Sequence, residues 1–569
     1  MPPKIVTYLP YSEFNDGRKC TRDEFRSTLS RFSRNRVLYI CSVINAILKS
    51  WEGHLDREAH DEVVQSAFPP EMAKPLIALG RSEARPRAVF HRQQILFVAK
   101  EALACCKEQG VDPFRLRYLG GLGIVFLMAN DLLPFDYPEA NSTDKKLINT
   151  LAEFIPIMEY SGWLSFENKI VRSHLMLTQF LNPLRDHADF IDIPSRFEQL
   201  TGISPAQYQA LCFAALSKYM RMDLASYRAN PQGFLLPRTF FQNTALSQDR
   251  VDRFLEDLSQ TPQNLRTAFE KRDHGANDFT WFRDKPLLRD GPSFYSLDTA
   301  FLAEKIETGP FWRVHNSLRT GQEKQKLHRF WGVVFESYMN WLLERCVEGR
   351  NNIFYADPRY SSDPTTQVCD ALIMCGPSVV LLEYKGSTFT AAGKYSGDRE
   401  LLAEEIESKL IGTEENKKGI RQLANAVCRL FGKGSKDSVE GLDLSTTRTI
   451  YPVLVTRDDL GGALLVNILL NRRFQKLFNK KRVRPRIVTP LFCLSADAVE
   501  HISAYLREAS LARILEARYR ADRTLMSTFL AVDNSVLRDI GQRRNEELRR
   551  GFEDFSRGVA RELFPNGVP

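Results

Sequence analysis

Long apolar runs are missing from this 569-residue chain. A membrane-spanning helix needs about 20 consecutive apolar residues. The nearest candidate, Leu119 to Ala129, stops at Asn130-Asp131 and reads as a buried helix. The N-terminus, Met1 to Lys4 and onward, carries no apolar stretch behind its charges and does not read as a secretory signal. The ten cysteines include no C-x-x-C pair, and nothing has zinc-finger spacing. Adjacent Cys105-Cys106 suits neither a disulfide nor a joint metal site. Reduced core thiols, a cytoplasmic location and no membrane partner are the resulting expectations. There is no internal repeat, no low-complexity tract and no P-loop. Gly432-Lys433 lacks the upstream glycine and the following Ser or Thr of that motif. A nucleotide-driven motor, if one is needed, is another protein.

What is present is ordinary globular material. Hydrophobic residues make up 43% and charged residues 26%, which excludes disorder as the main state. The length implies about three to five domains, with cores large enough to need no disulfide or metal staple. Net charge is +8, divided as +1 over residues 1–300 and +7 over 301–569. The block 471–490 alone carries +8 through Arg472, Arg473, Lys476, Lys480, Lys481, Arg482, Arg484 and Arg486. A concentrated basic block inside a moderately charged chain suits a polyanion. Within it, Phe474 and Phe478 at four-residue spacing are expected to anchor a helix to the core.

The pattern along the chain predicts an α+β multidomain protein. Residues 1–235 form a mostly α-helical recognition or regulatory region. Arg36–Trp51 and Gln93–Cys106 show helical apolar spacing, and Ser204-Pro205-Ala206-Gln207 is a capping box. Residues 236–320 are a mixed connecting region, with a helix at Ser247–Leu258 and a strand then helix across Phe294–Ile306. Residues 321–510 change character. Helix Leu327–Cys346 precedes extended segments Asn352–Ala356, Gln367–Met374 and Ser378–Gly386. Helix Lys418–Phe431, strand Thr449–Thr456, helix Leu460–Leu470 and strand Arg486–Leu494 follow. That is an α/β plan. Residues 511–569 form a helical tail.

The chemistry centres on Asp370 and on Glu383-Tyr384-Lys385. As a bare pattern this is weak, since a chain this long should hold about one chance match. Its placement strengthens it. Asp370 lies on one strand, while Glu383 and Lys385, two apart on the next, share a face. A short turn at Cys375-Gly376-Pro377-Ser378 pairs the strands. Charges inside the apolar run VVLLEYKG are costly to bury unless they bind something. Two carboxylates suit Mg²⁺ together with water and substrate phosphate. A structural ion pair across a hairpin is the plainer alternative.

With these residues in view, the region 325–500 resembles the PD-(D/E)XK nuclease superfamily. The match runs in order through Glu336 on a helix (Phe335-Glu336), Asp370, Glu383-x-Lys385, Gln422 in KKGIRQLANAV, and the strand IYPVLVT. Cys369 rather than proline precedes Asp370. The resemblance implies a restriction-endonuclease-like α/β/α domain with a mixed central sheet. It implies Asp370 and Glu383 as ligands of Mg²⁺, or of Mn²⁺ in its place, and Lys385 as an aid to the attacking water. Glu336 and Gln422 would be auxiliary catalytic residues. Nucleic acid, DNA rather than RNA, is the implied partner, with contacts from Lys418, Arg429, Arg472, Arg473, Lys476, Lys480, Lys481 and Arg482. A protein partner or homo-oligomer could complete the assembly.

The expected function is therefore a Mg²⁺-dependent endonuclease, by fold-level analogy an effector of bacterial antiviral defence or restriction. The alternative is a catalytically silent nuclease-fold subunit that binds nucleic acid or organises an assembly. Arg85-x5-His91 echoes another hydrolase motif at a spacing expected by chance, and His60-Asp61 echoes one without a set of companion ligands.

Overall fold

The computed structural model describes residues 7–49, 56–81, 87–108, 119, 121–133, 138–158, 163–271, 275–347, 352–413, 418–435, 437–463, 465–477, 483 and 486–565. Up to residue 235 the described elements are almost all helices, joined by short 3-10 turns and one two-stranded parallel pair, Thr7–Tyr8 with Arg87–Ala88. The Ser204 capping box is present, with Ser204 accepting from Gln207 N–H and Gln207 returning to Ser204 N–H. The apolar run near 119–129 is a buried helix, Gly121–Leu132. Among the described residues no helix is long and apolar enough to cross a membrane.

The connecting region carries a small four-stranded sheet. Its central hairpin, Leu287–Asp290 with Ser293–Ser296, turns at Gly291, φ 56. The elements that position the site begin with α1 (Trp163–Thr178), α2 (Thr299–Ser317) and α3 (Gly321–Val347). β1 (Asn352–Ala356), β2 (Ala371–Cys375), β3 (Ser378–Lys385), α4 (Ile420–Phe431), β4 (Thr449–Thr456) and α5 (Val466–Leu477) follow. β5 (Ile487–Val488), β6 (Phe492–Ser495) and α6 (Ala496–Ser503) complete them.

The main sheet runs β5-β4-β3-β2-β1, with β6 also on β4. β1–β2 and β2–β3 are antiparallel, and β3–β4 is parallel, in register from Ser378↔Thr449 to Lys385↔Thr456. It is a mixed sheet. Its two faces enter different cores. Val380, Leu382, Tyr384, Val453 and Val455 join a large cluster that runs from Leu9 to Leu563. Val379, Leu381, Leu372, Ile450 and Leu454 join a second, with α4, α5 and the helix Asp144–Met158. Every strand of the centre is thus buried on both sides, which is why β3 and β4 read as continuous apolar runs. The last helix, Glu546–Leu563, returns to pack on α1 and on Pro205–Met220.

Three segments differ from the sequence pattern. Gln367–Met374 is not one strand. Asp363–Gln367 folds back on Arg359–Tyr360, and β2 starts at Ala371. The helix expected from Leu460 begins at Val466, because Asp459–Gly462 makes a 3-10 turn held by the Asp458 carboxylate on Leu460 N–H. Arg486–Leu494 is split into β5 and β6 around Thr489-Pro490-Leu491, since proline cannot donate to the ladder. All ten cysteines are free thiols, and eight of them are buried.

Candidate active site

The β2–β3 hairpin sets the geometry. Its two-residue turn places Gly376 at φ 58, the positive value required at the first central position of a type II′ turn. Ala371 pairs with Leu382, so one step outward Asp370 stands opposite Glu383. Asp370 N–H donates to Leu382 O at 3.0 Å. The Asp370 carboxylate accepts the backbone N–H of Tyr384. Lys385 Nζ donates to Glu383 Oε1 at 2.6 Å. Side chains alternate along a strand, and Val379 and Leu381 face the second core. Glu383 and Lys385 therefore lie on that side, and Asp370, in phase with Leu372, joins them.

Burial makes this cluster electrostatically unusual. Asp370 is 8% exposed and Glu383 1%. Burial pushes Glu383 up to about 8, with Asp370 adding to the rise and Lys385 opposing it. Burial also raises Asp370, against the pull of Lys385 and the Tyr384 amide. For Lys385 burial disfavours the charge, but Glu383, Asp370 and Glu336 outweigh it, so its pKa rises and the ammonium persists. Glu383 Oε2 is buried with no hydrogen-bond partner. Leaving a buried acceptor unsatisfied costs about 1–3 kcal/mol, and more for a charged group, and Oε2 is the atom that a cation or a proton would meet.

Two close approaches bring helices to this point. A Cβ on Gly386 would lie 2.6 Å from Gly332 Cα, so the end of β3 touches the α3 backbone one turn before Glu336. Glu336 is half-buried. Burial, then the charges of Asp370 and Asp357, push it up to about 7. It is not an ordinary helix-surface carboxylate. At the other side, Gly419 precedes α4 with φ 63, and a Cβ there would fall 2.0 Å from Leu410 O. Only glycine fits. Its amide favours the charged form of Glu383. Gln422, in the first turn of α4, is half-buried.

Sequence reasoning missed Asp357 and Gln367. Asp357 has φ 49, and its N–H donates to Asp370 O at 3.0 Å. Its charge raises both Asp370 and Glu336, while the Gln367 side chain favours ionised Asp370. The dipeptide Asp357-Pro358 marks a turn, but nothing local links that turn to a carboxylate cluster.

The basic residues divide into three groups. Arg472 donates to Ser142 O at 2.6 Å, to Asp144 Oδ1 at 3.0 Å and to Ala140 O. Arg473 Nε lies 3.6 Å from Asp144 Oδ2. Both guanidinium groups are engaged within the molecule. Arg429 lies 3.6 Å above the Tyr360 ring and pairs with Asp437. Lys418 and Lys476 are exposed. Lys480, Lys481, Arg482, Arg484 and Phe478 fall outside the described residues, while Phe474 is fully buried. The other two motifs are structural where they are described. His60 Nε2 accepts from Val89 N–H, and His91 caps the helix Arg92–Cys105.

Among the described residues no three His, Cys, Asp or Glu side chains form a ready-made metal cluster. Mg²⁺ seldom asks for one. It keeps several waters and takes one or two carboxylates plus substrate phosphate. Asp370 and Glu383, with the unsatisfied Oε2, fit that mode. Comparison with protein-family models, with curated proteins and with solved structures finds no match for this chain.

Proposed function

We propose that the chain is a metal-dependent endonuclease that hydrolyses phosphodiester bonds, with DNA as substrate, on the PD-(D/E)XK plan. The observation that carries this reading is the convergence of Asp370, Glu383 and Lys385 at one buried end of the β2–β3 hairpin. The order α3, β1, β2, β3, α4, β4, with β4 parallel to β3, supports it. So does Glu336, whose carboxyl is pushed up to about 7 by burial and then by the charges of Asp370 and Asp357.

Asp370 and Glu383 would hold Mg²⁺, or Mn²⁺. When bound, the metal lowers the pKa of its water and stabilises charge on a phosphoryl oxygen. Lys385 is kept cationic by its carboxylate neighbours. It can orient the attacking water and stabilise charge that develops at phosphorus-bound oxygen. Glu336, poised near neutrality, can take up or deliver a proton. A role in bacterial antiviral defence or restriction belongs to this proposal by analogy of architecture.

One observation favours the alternative of a silent binding subunit. Lys385 and Glu383 already satisfy each other in part, and Arg472, Arg473 and Arg429 are engaged internally. The test is incubation with plasmid, linear duplex, single-stranded DNA and RNA in Mg²⁺, Mn²⁺ or EDTA, beside Asp370→Ala. Metal-dependent cutting that disappears in Asp370→Ala, with binding retained, supports the nuclease. Salt-sensitive binding without cutting in either protein supports the silent subunit.

A further inference from the structure

The basic block and the N-terminal half meet at one surface. The helix Asp144–Met158 starts against α5, the helix that opens the block. Arg472 of α5 donates to Ser142 O at 2.6 Å, to Asp144 Oδ1 at 3.0 Å and to Ala140 O. Arg473 lies 3.6 Å from Asp144 Oδ2. Leu147, Leu151 and Ile155 of the same helix are buried in the second core, which α5 also enters. A polar clamp and an apolar face together fix the start of this helix on α5.

That placement adds two lysines to the block. Lys145 and Lys146 directly follow the clamped Asp144, and both are exposed. On α5, Lys476 lies one turn beyond Arg472 and is exposed, while Phe474 on the opposite side is fully buried. The carboxylate at this surface, Asp144, is spent on the two arginines. Exposed Glu139 offsets one further charge. Five cations from two distant parts of the chain thus stand against two carboxylates, a net +3.

Helix stability does not account for the two lysines. The first turn of a helix favours carboxylates and disfavours cations, because the helix dipole is positive there. The surroundings select the partner. Membrane surfaces and protein interfaces are held by apolar or aromatic anchors. Among the described residues neither helix exposes a large hydrophobic side chain. A phosphate backbone asks only for cations. α5 also packs on the side of the main sheet that carries Asp370, Glu383 and Lys385, so a long polyanion on this surface stays on the side of the candidate site.

We propose that Lys145 and Lys146 form, with Lys476 and the basic block, one composite surface that binds the phosphate backbone of a nucleic acid. The Asp144 clamp is its brace. The N-terminal half then takes part in holding the substrate. This rests on the nucleic-acid part of the proposed function and does not require cleavage.

The test uses the full chain in EDTA, where no metal-dependent cutting occurs. Fluorescence anisotropy measures binding of a labelled DNA duplex and a labelled single strand between about 50 and about 200 mM salt. The variant is Lys145→Glu with Lys146→Glu, a change that the helix dipole favours and that should leave the melting temperature equal or higher. The control is Lys19→Glu with Lys74→Glu, which alters the net charge equally at two exposed positions elsewhere. Each lost phosphate contact should lower the salt slope by about 0.9 on the duplex and about 0.7 on the single strand. On the duplex that is about 8-fold weaker binding per contact at about 0.1 M salt, one decade of salt below 1 M. The control should keep the wild-type slope. Equal slopes in wild type and the Lys145/Lys146 variant overturn the proposal, and so does an equal loss in the control. Binding of neither nucleic acid by the wild type also overturns it, as does capture by anionic lipid vesicles in their place. A wild type that cuts DNA with an unchanged slope in the variant leaves the nuclease reading standing alone. Lys145/Lys146-dependent binding in a protein that cuts nothing removes the nuclease reading and leaves this one.

Discussion

Arg172 offers the most direct test of how the chain holds together. It lies on α1, far in sequence from every group it pairs with, and is fully buried. Nη1 donates to Asp497 Oδ1 at 3.0 Å and to Glu500 Oε1 at 2.7 Å, and Nη2 to Glu307 Oε1 at 3.1 Å. Tyr338 Oη of α3 donates to the same Glu500 oxygen at 2.7 Å. One guanidinium therefore joins α1, α2 and α6. Arg172→Met keeps roughly the volume and leaves buried Glu307 and Glu500 short of a cation, while Asp497 retains Lys169 at 3.1 Å. Breaking a buried pair from one side costs about 3–5 kcal/mol. At about 2.1 cal/mol/K per residue, 569 residues give an unfolding entropy near 1.2 kcal/mol/K, so a single cooperative unit should lose about 3–4 °C. A smaller unfolding unit would lose more. Differential scanning calorimetry at pH 7.5 measures it. The decisive control is Glu500→Gln. In the wild type it should destabilise by removing a partner of Arg172. In the Arg172→Met background it should stabilise by removing an uncompensated charge. The deficit of Arg172→Met should also shrink as pH falls and the carboxylates take up protons. A loss below about 1 kcal/mol, or the same sign for Glu500→Gln in both backgrounds, refutes the reasoning.

Three further outcomes are expected. Glu383 and Glu336 have folded-state pKa values of about 8 and about 7, above the ordinary 4.5, so the folded protein binds more protons than the unfolded chain in that window. Metal-free stability should be greatest near the low end and fall as pH rises toward 8. Melting in EDTA should show this slope flattened in Glu383→Gln, and an unchanged slope would count against the buried charge. Glu383→Ala and Lys385→Ala should each reduce metal-dependent cleavage by at least about 100-fold, and a wild-type rate in either removes the site assignment. Reversing Lys480, Lys481 and Arg482 to glutamate should weaken nucleic-acid binding and lower its salt slope by about 0.9 for each phosphate no longer neutralised, and an equal slope in titrations of the two proteins assigns that block to the solvated surface.

The strands β1 and β4 and the shared side of Asp370, Glu383 and Lys385 were legible in the sequence. The reason is local. A strand has period 2, a two-residue turn fixes the register of its hairpin, and central strands must be apolar throughout. The helix start at Ser204 was legible for a similar reason, since caps act over three or four residues. What only the tertiary structure decided depends on residues distant in the chain. Gly332 and Gly386 matter because α3 touches the end of β3, and Gly419 because Leu410 O lies where its Cβ would be. Asp357 enters the cluster through the β1–β2 pairing. Arg472 and Arg473, which by spacing belong to a basic block, turn instead to Asp144 more than 300 residues earlier. A sequence states which charges exist. Whether a charge meets solvent, a carboxylate or a backbone carbonyl is set by packing across the whole chain, and the free energy of each charge follows from that environment.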